Sequence, residues 1–304
     1  MKTIAFVIPP FVELLDLAGP VQVFTEAKFY GFETNIEFYS FQSDTISAVG
    51  LPFGKIKNYT EAKLNKDDFL FIPGVHFESL ERHLEEEKPF FEWLNNYAKE
   101  NINICSVCNA TFILGEAGLL NNKECTTHWR RTELLQTQYP LSKVLNDVLF
   151  VKSGNIYTSA GISAGIDLAL AILEELKGSF FVNKVARGLV VYHRRSSNHT
   201  QQSIYLDYRN HINPKIHQVQ DYIIENISAK ISIAILAEIA CMSARNLTRV
   251  FKEITGITVI EYATKLKIEN ALTLKNNPNY TIDRIASECG FKSVRQLQRI
   301  LNKK

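Results

Sequence analysis

One cysteine stands at a position typical of an exposed nucleophile. The apolar run 102–106 predicts a strand, the stretch 111–120 predicts a helix, and Cys108 lies between them. Ser106 and Ala110 flank this cysteine at two residues' distance, and a sharp strand-to-helix turn accepts only small side chains at those positions. A helix beginning just after the turn favours the thiolate. The spacing therefore predicts a nucleophile elbow, with a buried structural cysteine as the alternative.

A second cysteine opens two further alternatives at this junction. Cys105 and Cys108 form a C-x-x-C pair, a spacing found in zinc sites and in thioredoxin-type redox centres. No second pair or histidine cluster accompanies it, and Cys105 belongs to the predicted strand instead of the start of the helix. We therefore expect neither a metal ion nor a cofactor here.

Two polar residues elsewhere could complete a site around the elbow cysteine. His128 follows two threonines in a polar loop, and a histidine beside such a cysteine can stabilise its thiolate or transfer protons. Asp16 lies before Pro20, at which a helix can start. Taken singly, the histidine is more simply a solvated residue and the aspartate a turn or capping residue. Small or polar residues at neighbouring turns are the candidates for ligand contacts: Gly19, Gly74, Asn109 and Gly161.

Alternating strand and helix patterns must position these residues. Strands are expected at 3–8, 34–40, 69–72, 102–106 and 156–158, and helices at 20–30, 89–99, 111–120, 130–138 and 163–176. This alternation predicts an α/β domain with a mostly parallel sheet and helices on both faces. Ligands of such sheets bind beyond the carboxyl ends of the strands, so a site is expected at the junctions that follow them.

The C-terminal third contains one pattern twice. Residues 236–251 have the pattern of a short apolar helix, a sharp turn and a second helix, and residues 285–301 repeat it with one extra residue. A helix-turn-helix is built in this way, and its second helix enters the major groove of DNA. Ser243 and Ser293 are suited to cap the two second helices. A long helix over 259–275 would separate the copies by a fixed distance, so we expect them to contact adjacent grooves.

The free faces of the two second helices carry the residues expected to touch DNA. They are Arg245, Asn246, Arg249 and Lys252 in the first copy and Arg295, Gln296 and Arg299 in the second. Arg can pair with guanine, and Asn or Gln with adenine, in the major groove. The charge agrees, because the chain from residue 213 has 14 Lys+Arg against 8 Asp+Glu, whereas the remainder has 20 against 24. The alternative is a helical bundle with solvated basic faces.

Length and composition favour two domains of a cytoplasmic protein. The 304 residues exceed one comfortable core, so we expect an α/β domain at 1–192, a linker at 193–212 and a DNA-binding domain at 213–304. Five cysteines, an odd number, argue against a disulfide framework and for a reducing compartment. The apolar start ends at Pro9, too early for a signal peptide, and no stretch reaches the roughly 18 apolar residues of a membrane span.

The N-terminal motifs together resemble a known family. The ordered set lies at 16–20, 73–74, 106–108, 117–120, 126–129 and 160–167. It resembles the PfpI-like class I glutamine amidotransferase superfamily, and more narrowly the branch joined to an AraC-type domain, the GlxA-type transcriptional regulators. The resemblance implies a flavodoxin-like fold in which Cys108, His128 and Asp16 line one pocket. It further implies that this pocket senses a small molecule and that the α/β domain forms a homodimer.

Three departures from the family pattern shape the expectations. Asn109 and Ala110 follow the elbow cysteine in place of the usual Thr-Gly, and Val75 stands where relatives have a second glycine. Both changes touch groups that would hold an oxyanion, which counts against catalysis. The chain also stops at Lys304, where AraC-type domains normally continue, so we expect the first copy to dominate DNA contact.

Two functions are compatible with these patterns. The first is a sequence-specific transcriptional regulator that binds double-stranded DNA and senses a small molecule near Cys108. The second is a cysteine-dependent hydrolase or hydratase of an amide, nitrile or isonitrile with an appended DNA-binding module. In that second case Cys108 would be the nucleophile, His128 would support its ionisation, and Asp16 would orient water or substrate.

Overall fold

The structure is a computed structural model that describes residues 1–42, 44–76, 88–191, 195–197, 201, 204–229, 231–275 and 280–301. The chain divides into two compact units, Met1–Gln201 and Gln202–Lys304. Several positions of the predicted linker, and the end of the chain after residue 301, lie outside the described residues.

A seven-stranded sheet forms the centre of the first unit. The strands of this unit are β1 (Lys2–Ile8), β2 (Thr34–Ser40), β3 (Lys57–Asn58), β4 (Phe69–Ile72), β5 (Asn103–Val107), β6 (Glu124–Cys125), β7 (Lys143–Val144), β8 (Phe150–Ser153) and β9 (Ile156–Ser159). Their order in the sheet is β3-β2-β1-β4-β5-β9-β8, and β6 pairs separately with β7. Neighbouring strands of the large sheet are parallel except β8 and β9. The prediction of a mostly parallel sheet is confirmed.

Helices cover both faces of this sheet, as predicted. They are α1 (Leu14–Phe29), α2 (Lys88–Lys99), α3 (Thr111–Glu116), α4 (Thr132–Gln138) and α5 (Ser163–Gly188). Each face has its own apolar core, because successive side chains of a strand point to opposite sides. Ala5 and Val7 of β1 join one core, whereas Ile4 and Phe6 join the other. The central strands are therefore apolar throughout, which explains why their positions could be recognised in the sequence.

Helix α1 starts earlier than predicted. It begins at Leu14 and contains Pro20 in its interior, so the prediction of a start at the proline is wrong. Asp16 consequently lies in the first helical turn and is buried there. Gly19 faces a neighbouring helix, since a Cβ at this position would come within 2.9 Å of Ile166 Cγ1 in α5.

The second unit is entirely helical in its described part, as predicted. Its helices are α6 (Ile204–Asp207), α7 (Pro214–Glu225), α8 (Ile233–Ile239), α9 (Ala244–Thr255), α10 (Val259–Lys275), α11 (Ile282–Glu288) and α12 (Val294–Leu301). The pairs α8–α9 and α11–α12 form the two predicted helix-turn-helix copies, and α10 connects them. Among the described residues of both units, no helix has the length and apolar character needed to cross a bilayer.

Residues near the boundary are bonded to one unit or the other. Arg195 forms an ion pair of 2.5 Å with the Asp167 carboxylate of α5. The side-chain amide of Gln201 donates to the carbonyl oxygens of Thr127 and Val148, each at 3.0 Å. Ile204, by contrast, is buried in the core of the second unit. The described part of the first unit thus ends on a residue anchored beside the loop that carries His128.

Candidate ligand site and nucleic-acid interface

The carboxyl ends of four neighbouring strands bring the candidate ligand site together. Asp16, Gly74, Cys108 and Gly161 follow β1, β4, β5 and β9, which are adjacent in the sheet and parallel. A Cβ at Gly161 would come within 2.6 Å of the Cys108 sulfur, and a Cβ at Gly74 within 2.9 Å of Cys108 Cβ and closer still to Asp16 Oδ2. Only glycine fits at these two positions, because the loops touch there.

Cys108 occupies the predicted elbow. Its φ of 60° lies in the left-handed region, and a short 3-10 turn, Cys108–Ala110, leads into α3. The Thr127 hydroxyl donates to the carbonyl oxygen of Cys108 at 2.8 Å, and the Thr111 hydroxyl lies 3.1 Å from the same oxygen. The unfavourable backbone conformation is therefore held by two buried threonines, Thr111 and Thr127.

The surroundings of the Cys108 sulfur favour the thiol over the thiolate. Burial raises the pKa of Cys108 well above its ordinary value, and the neighbouring Asp16 carboxylate raises it further. The N–H of Asn109 opposes this shift without reversing it. Desolvation of the almost fully buried sulfur thus opposes the thiolate that a helix start favours.

The Asp16 carboxyl group is poised to exchange a proton. Its Oδ1 accepts a hydrogen bond of 2.5 Å from the Ile162 N–H, whereas its Oδ2 is buried without a hydrogen bond of normal geometry. Burial raises the pKa of Asp16 to about 6, although the Ile162 N–H and the Cys108 thiol favour the charged form. A buried acceptor next to the elbow sulfur is thus available to a proton or to a ligand.

Asn109 braces the turn after β4. Its Oδ1 accepts a hydrogen bond from the Val75 N–H at 2.9 Å, and its Nδ2 donates to the Val75 carbonyl oxygen at 2.6 Å. The side chain is buried, so both of these bonds are shielded from water. The two departures at Asn109 and Val75 therefore form one feature, in which the amide consumes a backbone N–H that could otherwise bind an oxyanion.

His128 is not bonded to the elbow. Its Nδ1 accepts a hydrogen bond from the Arg130 N–H at 3.3 Å, and its ring stacks on that of Trp129 with 5.7 Å between centroids. In the described part of the chain no hydrogen bond joins this ring to Cys108. Burial and the adjacent arginines lower the pKa of His128, so the imidazole is neutral near pH 7. The contact to the elbow is made by the preceding residue, Thr127.

Both cysteines of the C-x-x-C pair are buried. Cys105 is completely buried in β5, and burial raises the pKa of its thiol well above the ordinary value. All five cysteines are free. Among the described residues, no three His, Cys, Asp or Glu side chains are grouped as a metal site requires.

The first recognition helix, α9, has one apolar and one charged face. Ser243 caps it as predicted, by accepting a hydrogen bond from the Asn246 N–H at 3.3 Å. Leu247 and Phe251 are fully buried on the inner face. The exposed side carries the predicted DNA contacts, with Arg245, Arg249 and Lys252 open to solvent and Asn246 half-buried.

A hydrogen-bonded group on α9 includes one residue that sequence reasoning missed. The Arg249 guanidinium donates to both carboxylate oxygens of Glu253, at 2.7 and 2.8 Å, and to Asn246 Oδ1 at 2.9 Å. The ion pair is solvent-exposed and spans one helical turn, so it contributes only about 0.3–0.5 kcal/mol. A bidentate contact to guanine is worth about 1–3 kcal/mol, so DNA can displace Glu253.

The second recognition helix, α12, uses one predicted contact residue as a cap. Gln296 Oε1 accepts a hydrogen bond from the Lys292 N–H at 2.8 Å, and the Gln296 N–H donates to Ser293 Oγ at 3.2 Å. The amide oxygen is therefore engaged at the start of the helix. Arg295 and Arg299 remain exposed on its outer face.

Each unit matches one known family. The DJ-1/PfpI family matches residues 2–175, and a helix-turn-helix domain matches residues 236–304. Both parts of the arrangement predicted from the sequence are confirmed by these matches.

The individual relatives include an enzyme and a transcriptional regulator. An isonitrile hydratase of Pseudomonas putida is 30% identical over 178 residues, which cover 58% of this chain and 72% of that protein. The HTH-type transcriptional regulator GbdR of Pseudomonas aeruginosa is 26% identical over 203 residues, covering 66% of this chain and 55% of the regulator. The match thus spans little more than half of the regulator's length. A THiJ/PfpI family protein of Pseudomonas syringae shares the fold, with a TM-score of 0.55 and 21% identity over 79% of this chain and 88% of that chain.

Proposed function

This chain belongs to the DJ-1/PfpI family and carries an AraC-type helix-turn-helix domain, and we propose that it is a transcriptional regulator whose α/β domain senses a small molecule. The observation that carries this proposal is the pair of recognition helices, each with a buried apolar face and an outer face bearing exposed arginines. Such faces suit the major groove, where guanidinium groups can bind guanine edges and phosphates.

The α/β domain is proposed to bind its ligand without turning it over. A cysteine nucleophile needs a thiolate, a nearby base and donors for an oxyanion. Here burial raises the pKa of the Cys108 thiol, His128 makes no hydrogen bond to it, and Asn109 occupies the Val75 N–H. These features favour sensing over the hydrolase or hydratase alternative.

The surroundings of the elbow suggest the chemistry of the ligand. Asp16 Oδ2 is a buried acceptor without a normal partner, which a hydrogen-bond donor on the ligand would satisfy. Leu15, Ile162 and Trp129 are each more than 40% exposed and lie next in sequence to residues of the predicted site. We therefore expect a small molecule with an apolar part and at least one N–H or O–H donor.

The cellular setting and the assembly are part of the same proposal. Five unpaired cysteines suit the reducing cytoplasm, where an operator is accessible. A homodimer through the α/β domain would place two DNA-binding units on one operator. The measured mass of the full chain in solution would decide the assembly, since a monomer at operator-saturating concentration contradicts this part.

DNA binding is tested by selection from a pool of random duplexes with the full chain. We expect enrichment of one motif and an affinity that falls steeply with salt. Arg249→Ala should weaken binding to that motif by about 1–3 kcal/mol. Arg187→Ala, which removes the same charge from an exposed position of α5, is the matched control and should leave binding unchanged. No enriched motif, or equal effects of the two variants, would refute the proposal.

Sensing is separated from turnover with Cys108→Ser. If the chain is a regulator, the variant still binds DNA in a ligand-dependent manner, and the ligand affinity changes only by the loss of one contact to sulfur. Turnover of an isonitrile, nitrile or amide by the unaltered chain, abolished by Cys108→Ser, would instead support the enzyme.

A further inference from the structure

Helix α10 belongs to both halves of the DNA-binding unit. Tyr262 and Leu266 are buried in the core formed with α7–α9, whereas Ala271 is buried in the core formed with α11 and α12. Lys267 therefore lies on α10 at the point where the helix passes from one core to the other. A side chain at this point can reach both halves.

The Lys267 ammonium group binds one turn from each half. Its Nζ donates to the carbonyl oxygen of Gly290 at 3.1 Å and lies 3.4 Å from that of Ala229. Ala229 follows α7 in the first half, and Gly290 forms the turn between α11 and α12 in the second. One cation thus connects the two halves through backbone acceptors.

The two turns approach too closely for any side chain to separate them. Gly290 has a φ of 64°, in the left-handed region, and a Cβ there would lie 2.5 Å from the Ser228 carbonyl oxygen and 2.7 Å from Lys267 Nζ. Glycine is therefore required both for the backbone conformation and for the space. The backbones of the two turns are therefore in direct contact beside the Lys267 ammonium group.

The charge of Lys267 is balanced by carbonyl dipoles. No carboxylate forms an ion pair with it among the described residues, and burial lowers the pKa of Lys267. Partial desolvation of a cation is unfavourable unless hydrogen bonds compensate, and bonds from a charged donor are stronger than neutral ones. A lysine that served only to solvate the surface would extend into water instead.

We propose that Lys267 is a positioning residue for DNA recognition, which sets the distance and angle between α9 and α12. Gly290 lies three residues before Ser293, at which α12 is capped, so fixing this turn fixes where the recognition helix starts. The second half depends on such a joint, because its described core has five fully buried side chains against thirteen in the first. This inference rests on the proposed DNA-binding function.

The consequence concerns operator spacing. Two recognition helices on one face of a duplex must enter major grooves about 34 Å apart. When the first helix has bound, a rigidly held second helix binds at high effective concentration, which increases affinity by a factor of about 10²–10⁴. A loose joint loses much of this factor without changing either helix.

The DNA test compares three variants of the full chain. Lys267→Met removes the ammonium group, Lys267→Arg keeps a multidentate cation, and Lys275→Met removes the same charge from an exposed position on the last turn of α10. The duplexes are the selected operator and two versions in which one or the other half-site is scrambled.

Lys267→Met should lower affinity for the intact operator by about 10- to 100-fold. It should change binding to each single half-site only about as much as Lys275→Met does, and Lys267→Arg should restore most of the loss. A loss on the intact operator no larger than that of Lys275→Met would overturn the proposal. An equal loss on the single half-sites would also overturn it, since that indicates damage to a module and not to its position.

A second measurement does not depend on DNA. Spin labels at Thr248→Cys and Gln298→Cys, both exposed positions on α9 and α12, report the distance between the recognition helices when Cys241 is replaced by serine. We expect one narrow distance distribution for the labelled chain and for its Lys267→Arg variant, and a broad one for Lys267→Met. An unchanged distance distribution in Lys267→Met would show that Lys267 does not set the distance between α9 and α12. If the unaltered chain selects no operator, the proposed function fails while this measurement still decides the role of Lys267.

Discussion

Replacement of Asp16 by asparagine should remove a pH dependence from the stability of the α/β domain. The carboxyl group is 1% exposed, and burial raises its pKa from 3.8 to about 6. Between these two values the folded chain holds a proton that the unfolded chain has released. The free energy of unfolding therefore falls as the pH rises through this window. The buried carboxyl is half ionised near pH 6 and almost fully ionised at about pH 7, where the loss of stability is complete.

The change in the free energy of unfolding follows from the difference between the folded and unfolded pKa of Asp16. About 2 pKa units at about 1.4 kcal/mol each give about 3 kcal/mol over the whole titration, of which about 2.4 kcal/mol falls between pH 4 and pH 7. Between pH 5 and pH 7, where the fold is easier to study, the expected loss is roughly 1–1.5 kcal/mol. Solvent does not screen this carboxylate appreciably, because the group is buried.

Urea unfolding followed by tryptophan fluorescence measures this quantity. Both tryptophans, Trp93 and Trp129, lie in the α/β unit, so their emission reports on that unit alone. The slope of stability with pH should disappear in Asp16→Asn and persist in Glu92→Gln, which alters an exposed carboxylate of α2. The same slope in the unaltered chain and in Asp16→Asn would refute the reasoning about this site.

Three further predictions concern single contacts. Gly74→Ala should destabilise the α/β domain by about 1–3 kcal/mol because the new methyl group overlaps three site residues, Asp16, Cys108 and Asn109. Gly54→Ala, with no atom within 4 Å of the new Cβ, should change stability by less than about 0.5 kcal/mol in the same urea assay; equal effects of the two variants contradict the packing. Iodoacetamide should modify exposed Cys241 well before Cys108, whose buried thiol has a raised pKa, as followed by peptide mass spectrometry; faster labelling of Cys108 contradicts the assignment. Glu253→Gln should strengthen binding to any duplex about twofold in fluorescence anisotropy by releasing the guanidinium it holds, and weaker binding contradicts this.

The sheet could be predicted from the sequence to the extent that its strands are buried. β1, β2 and β4 occupy nearly the predicted residues, because apolar runs flanked by turn residues report burial on both faces. β3, β6 and β7 have two residues each and exist through pairing with partners distant in sequence, which no local pattern contains. The start of α1 differs from the prediction because a proline favours the first turn of a helix, whereas this helix begins at Leu14 and continues through Pro20.

The candidate site was predictable where it depends on topology. Asp16, Gly74, Cys108 and Gly161 follow parallel strands whose carboxyl ends share an edge, so their meeting follows from the strand order. The role of Asn109 was not predictable, because its amide pairs with a backbone group 34 positions away. The position of His128 was not predictable either. Thr127 contacts the elbow, whereas His128, the next residue of the same loop, does not.

Sequence-specific DNA binding by the two recognition helices is measured by one ratio. This is the ratio of the dissociation constants of the full chain for a shuffled duplex and for the selected operator of equal length, at about 150 mM salt. We predict a ratio of at least about 10³, reduced by about 5- to 150-fold in Arg249→Ala. Equal affinity for the two duplexes would show that the recognition helices do not read DNA sequence.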